Sequence, residues 1–301
     1  METVSVAKSS FVWRLFRALL ILGAVLLGLI AFALWYMGIW SVIFPSTHHD
    51  TRPPELPAAV GSPAVLVFSK TNQFRHTESI ERGTEVLSSI AQRREWGYVH
   101  TENGAVFNAE QLQRFDVVVF LNATGDMLSD EQEMAFQNWV EAGGGWFGIH
   151  AAGDGSHTGW RWYMEQLLGA LFTAHILGPQ FQVATVITED GLHPLAEGLP
   201  AAWEHNEEWY SWEQSPRGSG FHVIATVDEG TYTPLQNFMG QSRDLSMGDH
   251  PIYWARCVGK GRAVYSALGH NADAYDNPPM RQLLDNALRW AINGEGQACD
   301  L

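Results

Sequence analysis

The sequence predicts an α/β domain, a parallel sheet flanked by helices, preceded by one transmembrane helix. Two patterns carry that expectation. From Ala64 to Asn293, short unbroken apolar runs alternate with amphipathic segments. Strands that are apolar at every position are buried on both faces, as in a parallel sheet covered by helices. Ahead of them, Leu19 to Phe44 is apolar and holds no charge. About 20 such residues cross the hydrocarbon core of a bilayer.

The chain divides accordingly. Residues 1–17 carry Lys8, Arg14 and Arg17, and only Arg52 follows closely on the other side. The positive-inside rule therefore puts the N-terminus in the cytoplasm and the domain outside, periplasmic or extracellular. Residues 18–44 form the single span, with Trp35, Tyr36 and Trp40 near the outer interface. A cleaved signal peptide is the rival, because Ala31-Phe32-Ala33 resembles a cleavage site. The apolar run continues from Ala33 to Phe44, which favours the anchor. Residues 45–63 hold Pro45, Pro53, Pro54, Pro57 and Pro63 and read as an extended, semi-rigid spacer. The domain spans 64–295, and 296–301 is a tail. About 255 residues beyond the span suit one large domain.

Within the domain the expected order is strand Ala64–Phe68, helix Glu78–Arg94, strand Tyr98–Thr101, a short helix Ala109–Phe115 capped by Asn108, and strand Asp116–Leu121. A helix begins at Ser129, where Gln132 completes a capping box, and runs to Glu141 before Gly143-Gly144-Gly145. Trp146–Ile149 is the next strand and Trp160–Leu168 a helix. Later strands are Phe181–Thr188, Phe221–Val227, Ile252–Val258 and Arg262–Ala267. The last two form a hairpin about Gly259-Lys260-Gly261, and a helix spans Met280–Asn293.

Charge narrows the partners. Setting aside Lys8, Arg14, Arg17 and Glu2 leaves 15 Lys+Arg against 32 Asp+Glu, a net −17 with histidine neutral. Such a surface repels phosphate backbones, so no nucleic acid is expected. Thirteen Trp is a high count, and those not in the core would suit sugar rings at a cleft rim. Cys257 and Cys299 are too far apart in character, one in an apolar run and one in the tail, to argue a disulfide or a metal cluster. No GxSxG, CxxC, HExxH or GxxxxGK[ST] pattern is present, and a GxGxxG fingerprint after a strand is lacking.

In open parallel sheets, ligands bind at the carboxyl ends of strands. Three histidines stand there: His76 after the first strand, His150 at the end of Trp146–Ile149, and His270 after the last strand. The setting of His150, a strand followed by a turn of Ala and Gly, is the layout of a nucleophile elbow. Imidazole at that point suits a general base or a metal ligand. The alternative for each histidine is a buried ring bonded to backbone carbonyls. His175 follows a helix in a loop. His193-Pro194 reads as a turn. Glu207 and Glu208 lie beside Trp209, Tyr210 and Trp212, where a carboxylate among aromatics can act as an acid or bind sugar hydroxyls, or be a solvated acidic loop. Asp154 and His157 follow the elbow as supporting groups.

Six stretches now carry a resemblance: FRHTESI, GGGWFGIHAAGD, the W-x4-LLGA-x-F-x2-H run ending at His175, HPLAEGLP, EEWY and GKGRAVYSALGH before the helix to Trp290. In this order the chain resembles the trehalose-utilisation, ThuA-like family, from about Ala64 to Asn293. The resemblance implies a flavodoxin-like, class I glutamine amidotransferase-like fold. It places His150 where true amidotransferases carry a nucleophilic Cys, so glutaminase activity is not expected. It also matches His76, His175, Glu208 and His270, while Glu207 stands where relatives commonly have Asp. The implied field is carbohydrate metabolism of the trehalose or 3-keto-disaccharide type.

Two functions remain open. One is a metal-dependent carbohydrate hydrolase or isomerase with His150, Glu208 and His270 catalytic. There a zinc-like divalent metal sits on His150, His175 and His270, and the sugar on His76, Trp209, Tyr210 and Asp154. The other is a non-catalytic carbohydrate-binding or sensing module at the membrane.

Overall fold

The computed structural model describes residues 5–293, and the chain divides between Ser46 and Thr47 into two units. The first unit is a helix α1 (Ser5–Tyr36) and a short α2 (Ile39–Ile43). Phe11–Tyr36 is a helix long and apolar enough to cross a membrane. It starts ahead of the apolar run, taking in Arg14 and Arg17, and ends at Tyr36, ahead of Gly38, whose φ of 72° a right-handed helix does not accommodate. The expected span to residue 44 is thus two helical pieces.

The second unit has thirteen strands among the described residues. They are β1 (Ala64–Phe68), β2 (Gly97–Thr101), β3 (Val117–Leu121), β4 (Gly145–Ile149), β5 (Phe172–His175), β6 (Gln182–Thr188) and β7 (Ala202–Glu207). Then come β8 (Tyr210–Trp212), β9 (His222–Val227), β10 (Leu235–Phe238), β11 (Gln241–Asp244), β12 (Pro251–Val258) and β13 (Gly261–Ser266). The helices are α3 (Thr77–Arg93), α4 (Ala109–Leu112), α5 (Asp130–Glu141) and α6 (Pro278–Asn293).

Nine strands form one sheet in the order β2-β1-β3-β4-β13-β12-β9-β6-β7. β2, β1, β3, β4 and β13 are parallel. The remainder pair antiparallel. The expected parallel sheet is therefore the first half of a mixed one. β12 meets β13 through the tight Gly259-Lys260 turn, with no crossover helix to keep the strands parallel. β1, β3 and β4 are buried at every position, as their unbroken apolar runs require. The Ser129 capping box and the Asn108 cap both form.

Four features depart from the sequence reading. Tyr163–Leu168 is π-helical. His175 ends a strand, not a loop. The acidic aromatic stretch is β7 and β8, which belong to different sheets, β8 pairing with β5. Cys257, on β12, is disulfide-bonded, and Cys299 lies outside the described residues.

The Pro-rich segment holds no helix or strand, and from His48 to Pro57 it is bonded to the domain. The carbonyls of Arg52 and Pro54 accept from Asn103 and Gln111 at 3.0 and 2.8 Å, and that of Pro57 accepts from Arg114. Asp50 binds the Lys70 ammonium at 2.6 Å and the Gly104 N–H at 2.9 Å, and the His48 carbonyl takes a second bond from Lys70 at 2.9 Å. Lys70 is buried at the end of β1. An ammonium left there unpaired is costly, so Asp50→Ala is expected to destabilise the domain by about 3 kcal/mol. Thermal melting reads this as a fall of about 10 °C. An unchanged midpoint would mean that the pair carries no weight.

Candidate functional site

The carboxyl ends of β1, β4 and β13 lie on one rim because those strands are parallel, and His76, His150 and His270 follow them. The structure brings all three together. The donor atoms of His76, His150, Glu208 and His270 all lie within 4.8 Å of one another. His150 Nε2 is 3.0 Å from His270 Nδ1, and Glu208 Oε2 is 3.0 Å from His270 Nδ1 and 3.7 Å from His150 Nε2. The His76 ring stands edge-on to both, with centroids 5.1 Å from His150 and 4.6 Å from His270.

The elbow exists. His150 adopts φ 48°, a left-handed conformation rare outside glycine, which turns its ring into the cluster. Tyr265 donates to the His150 carbonyl at 2.7 Å, and Asn122 accepts from the Ala151 N–H at 3.2 Å. A Cβ on Gly153 would lie 2.4 Å from the Tyr265 hydroxyl, so the turn needs glycine there. His150 Nδ1 faces the Ala267 carbonyl at 2.7 Å. Donating there fixes the tautomer and leaves the Nε2 lone pair facing the cluster.

Glu208 reaches the cluster through the bend between β7 and β8. Successive residues of a strand point to opposite faces, so two adjacent carboxylates turn inward only where the chain leaves one sheet for another. Glu208 Oε1 accepts from Gln180 at 2.5 Å and lies 3.1 Å from His175 Nδ1. His175 therefore stands behind Glu208, outside the four-donor set, and His76 and Glu208 take the places beside His150 and His270.

The electrostatics favour positive charge at the centre. Burial opposes ionisation of Glu208, but bonds to His150 and His270 outweigh it and hold the carboxyl well below the usual range. Burial disfavours charge on His150 too, yet Glu208 and Glu207 tip the balance upward. His76 goes the other way. Burial first, then His150 and His270, push it well down, so it is neutral with a lone pair to offer, and its buried Nδ1 has no hydrogen-bond partner. Three imidazoles and a carboxylate fit a zinc-like divalent ion.

Above the cluster lies a cleft of about 390 Å³ lined by Phe74, His76, Glu78, Phe181, His270 and Asp273, among others. Of the expected sugar contacts, His76 lines it. Tyr210 is buried, with its ring 4.3 Å from His150. Asp154, half-buried beside the elbow, accepts from the Ser156 N–H, and burial raises its carboxyl. Trp209 is in the core, its indole N–H bonded to the Gln182 carbonyl at 2.8 Å. His157 is buried against the carbonyls of Ala123 and Gly125.

Sequence reasoning missed Gln180 and Phe181, and it left Glu207 without a role. Glu207 is buried at the end of β7 and accepts from the N–H groups of Gly269, His270 and Glu208 at 2.6, 3.2 and 3.0 Å. Its sequence signals were its place beside Glu208 among aromatics and its position in the family pattern.

A supporting chain lies behind Tyr210. His250 contacts the Tyr210 carbonyl at 2.6 Å and Glu229 at 2.8 Å. His250, then the Met247 and Gly248 N–H groups, hold the Glu229 carboxyl down to about 2 against partial burial. A folded-state value below the unfolded one gives stability that is present above about pH 4.5 and lost as pH falls toward 2. Glu229→Gln is expected to remove on the order of 2 kcal/mol of that acid-sensitive stability. Urea midpoints at pH 3 and pH 6 check this: the variant should lose less than the parent between them.

The ThuA family profile, "Trehalose utilisation", matches residues 64–291. A ThuA-like protein of Bacteroides uniformis superposes with a TM-score of 0.67 at 25% identity, covering 83% of this chain and 99% of its own. A ThuA-like protein of Parabacteroides merdae gives a TM-score of 0.59 at 18% identity, over 77% and 90% of the two chains, and shows the fold alone. No curated protein matches. The glutamine amidotransferase-like fold and the run of residues from β1 to α6 lead to one statement: this chain belongs to the trehalose-utilisation (ThuA) family.

Proposed function

We propose that this protein is a membrane-tethered, metal-dependent enzyme that hydrolyses or isomerises a sugar of the trehalose or 3-keto-disaccharide type. The carrying observation is the convergence of four donors beneath a cleft of disaccharide size. A divalent ion held by His76, His150, His270 and Glu208 would polarise a carbonyl or acidify a water. The chain's own groups supply the rest. Phe181, 4.9 Å from His270, and Phe74, 4.9 Å from His76, offer flat apolar faces to a sugar ring. Glu208 links the buried imidazoles on one oxygen to half-exposed His175 on the other, a route for a proton between cluster and solvent. Tyr210 closes the far side of His150 to water. With an imidazole at the elbow, no thiol attacks an amide, so glutaminase activity is absent.

The anchor reading rests on α1 and on Lys8, Arg14 and Arg17 at its start. It puts the N-terminus in the cytoplasm and the domain outside. An N-terminal signal sequence is the alternative for the same helix. Detection of residues 11–36 in the mature protein by mass spectrometry decides between them.

The test is elemental analysis of the purified full chain with a screen of disaccharides and 3-keto-sugars. One metal per chain is expected, with turnover lost on chelation and restored by the ion. A metal-free protein that binds sugar tightly without turnover would overturn the enzyme and leave a carbohydrate-binding or sensing module.

A further inference from the structure

We propose that Glu207 is a positioning residue: its buried carboxylate holds the main chain at Gly269, His270 and Glu208 so that two of the four donors meet. The proposal rests on the metal-site reading above. His270 lies in an irregular segment after β13, where no strand ladder fixes the backbone. Gly269 there has φ 118°, a conformation that favours glycine. Something else must hold it, and Glu207 does so from one side. Oε2 takes the Gly269 N–H, and Oε1 takes those of His270 and Glu208. On the opposite side of the same loop, Ser79 Oγ donates to the Gly269 carbonyl at 2.5 Å. The loop is thus gripped through both its N–H and its C=O groups.

A carboxylate is the group this task needs. Both oxygens accept, and each faces at least one N–H. A glutamine amide has one acceptor, so its NH2 would confront either the Gly269 N–H or the pair from His270 and Glu208. Behind Glu207, His205 Nε2 lies 3.4 Å from Oε2, and both residues are buried. Glu207 is not one of the four donors, so it acts on the cluster only through the backbone it holds. One carboxylate therefore sets His270 and Glu208 relative to each other across more than sixty residues of sequence.

The experiment compares Glu207→Gln and Glu207→Asp with the parent in the full detergent-solubilised chain. Two quantities are read. The first is amide hydrogen exchange of the 266–272 segment without metal. The second is Zn2+ affinity by chelator competition, with Co2+ absorption reporting the ligand geometry. Loss of a group that orients metal ligands costs about 10- to 100-fold in affinity. Glu207→Gln is expected to weaken Zn2+ binding by about that factor. It should speed exchange of the Gly269 and His270 amides while leaving β1 and β3 protected. Glu207→Asp keeps both acceptors but withdraws them by one methylene, so it should fall between parent and Gln in both readings. Parental exchange in the 266–272 segment of both variants overturns the proposal, as does parental Zn2+ affinity in both. So does loosening that spreads evenly through the sheet, which would make Glu207 a general stability residue. If the parent takes up no Zn2+, the metal reading falls on its own, and the exchange comparison still decides whether Glu207 holds the loop. If Glu207→Gln does not fold, Glu207→Asp alone decides by the same two readings.

Discussion

His150→Asn is expected to strip the metal from the protein and abolish turnover while the domain stays folded. Asparagine is the informative replacement because position 150 has φ 48°, which Asn tolerates and Ala resists. The substitution removes the Nε2 atom that lies 3.0 Å from His270 Nδ1 and leaves three of four donors. Even groups behind a ligand cost 10- to 100-fold in affinity when lost, so loss of a donor itself should cost more than about 100-fold. The fully buried ring also leaves a void and an unanswered Ala267 carbonyl, a cost of about 2 kcal/mol to stability. Elemental analysis beside circular dichroism separates these effects. A folded variant that keeps one metal per chain would remove His150 from the site.

Gly261→Ala is expected to be among the most destabilising single-methyl additions in the domain's sheet. A Cβ there would lie 2.0 Å from the Val140 carbonyl oxygen and 2.4 Å from that of Gly144. Both are backbone atoms at the end of α5 and the start of β4, so neither can rotate away. Relief requires β13 to move from its neighbours, and overpacking of this kind costs about 3 kcal/mol or more. The melting midpoint should fall by about 10 °C. Because β13 leads to His270, metal affinity should fall with it. A midpoint within about 2 °C of the parent would show that the strand has room to shift.

The parts of this fold that the sequence reveals are those written in side-chain pattern. β1, β3 and β4 are apolar without a break because helices cover both faces. α5 announces itself through Ser129 and Gln132. The site was legible as far as strand ends reveal it: His76, His150 and His270 each follow a parallel strand, so topology alone makes them neighbours. What escaped was written in the backbone. Glu207 works by accepting main-chain N–H groups, which every residue has and no motif records. The bend that turns both Glu207 and Glu208 inward depends on β7 and β8 joining different sheets, and the sequence shows only two acids among aromatics. Trp209 looked like a sugar platform because aromatic rings look alike in sequence, whether they line a cleft or fill a core.

The segment ahead of β1 bears on how this protein can be handled. The family profile begins at Ala64, and a soluble version cut there would seem natural. It would remove Asp50 and the His48 carbonyl, the two partners of the Lys70 ammonium, together with Leu56 and Val60, which pack against the core. The boundary of sequence likeness and the boundary of the folding unit differ by residues 47–63. A preparation starting at Thr47 should behave as the intact domain does, whereas one starting at Ala64 should be prone to misfold before any question of catalysis is reached.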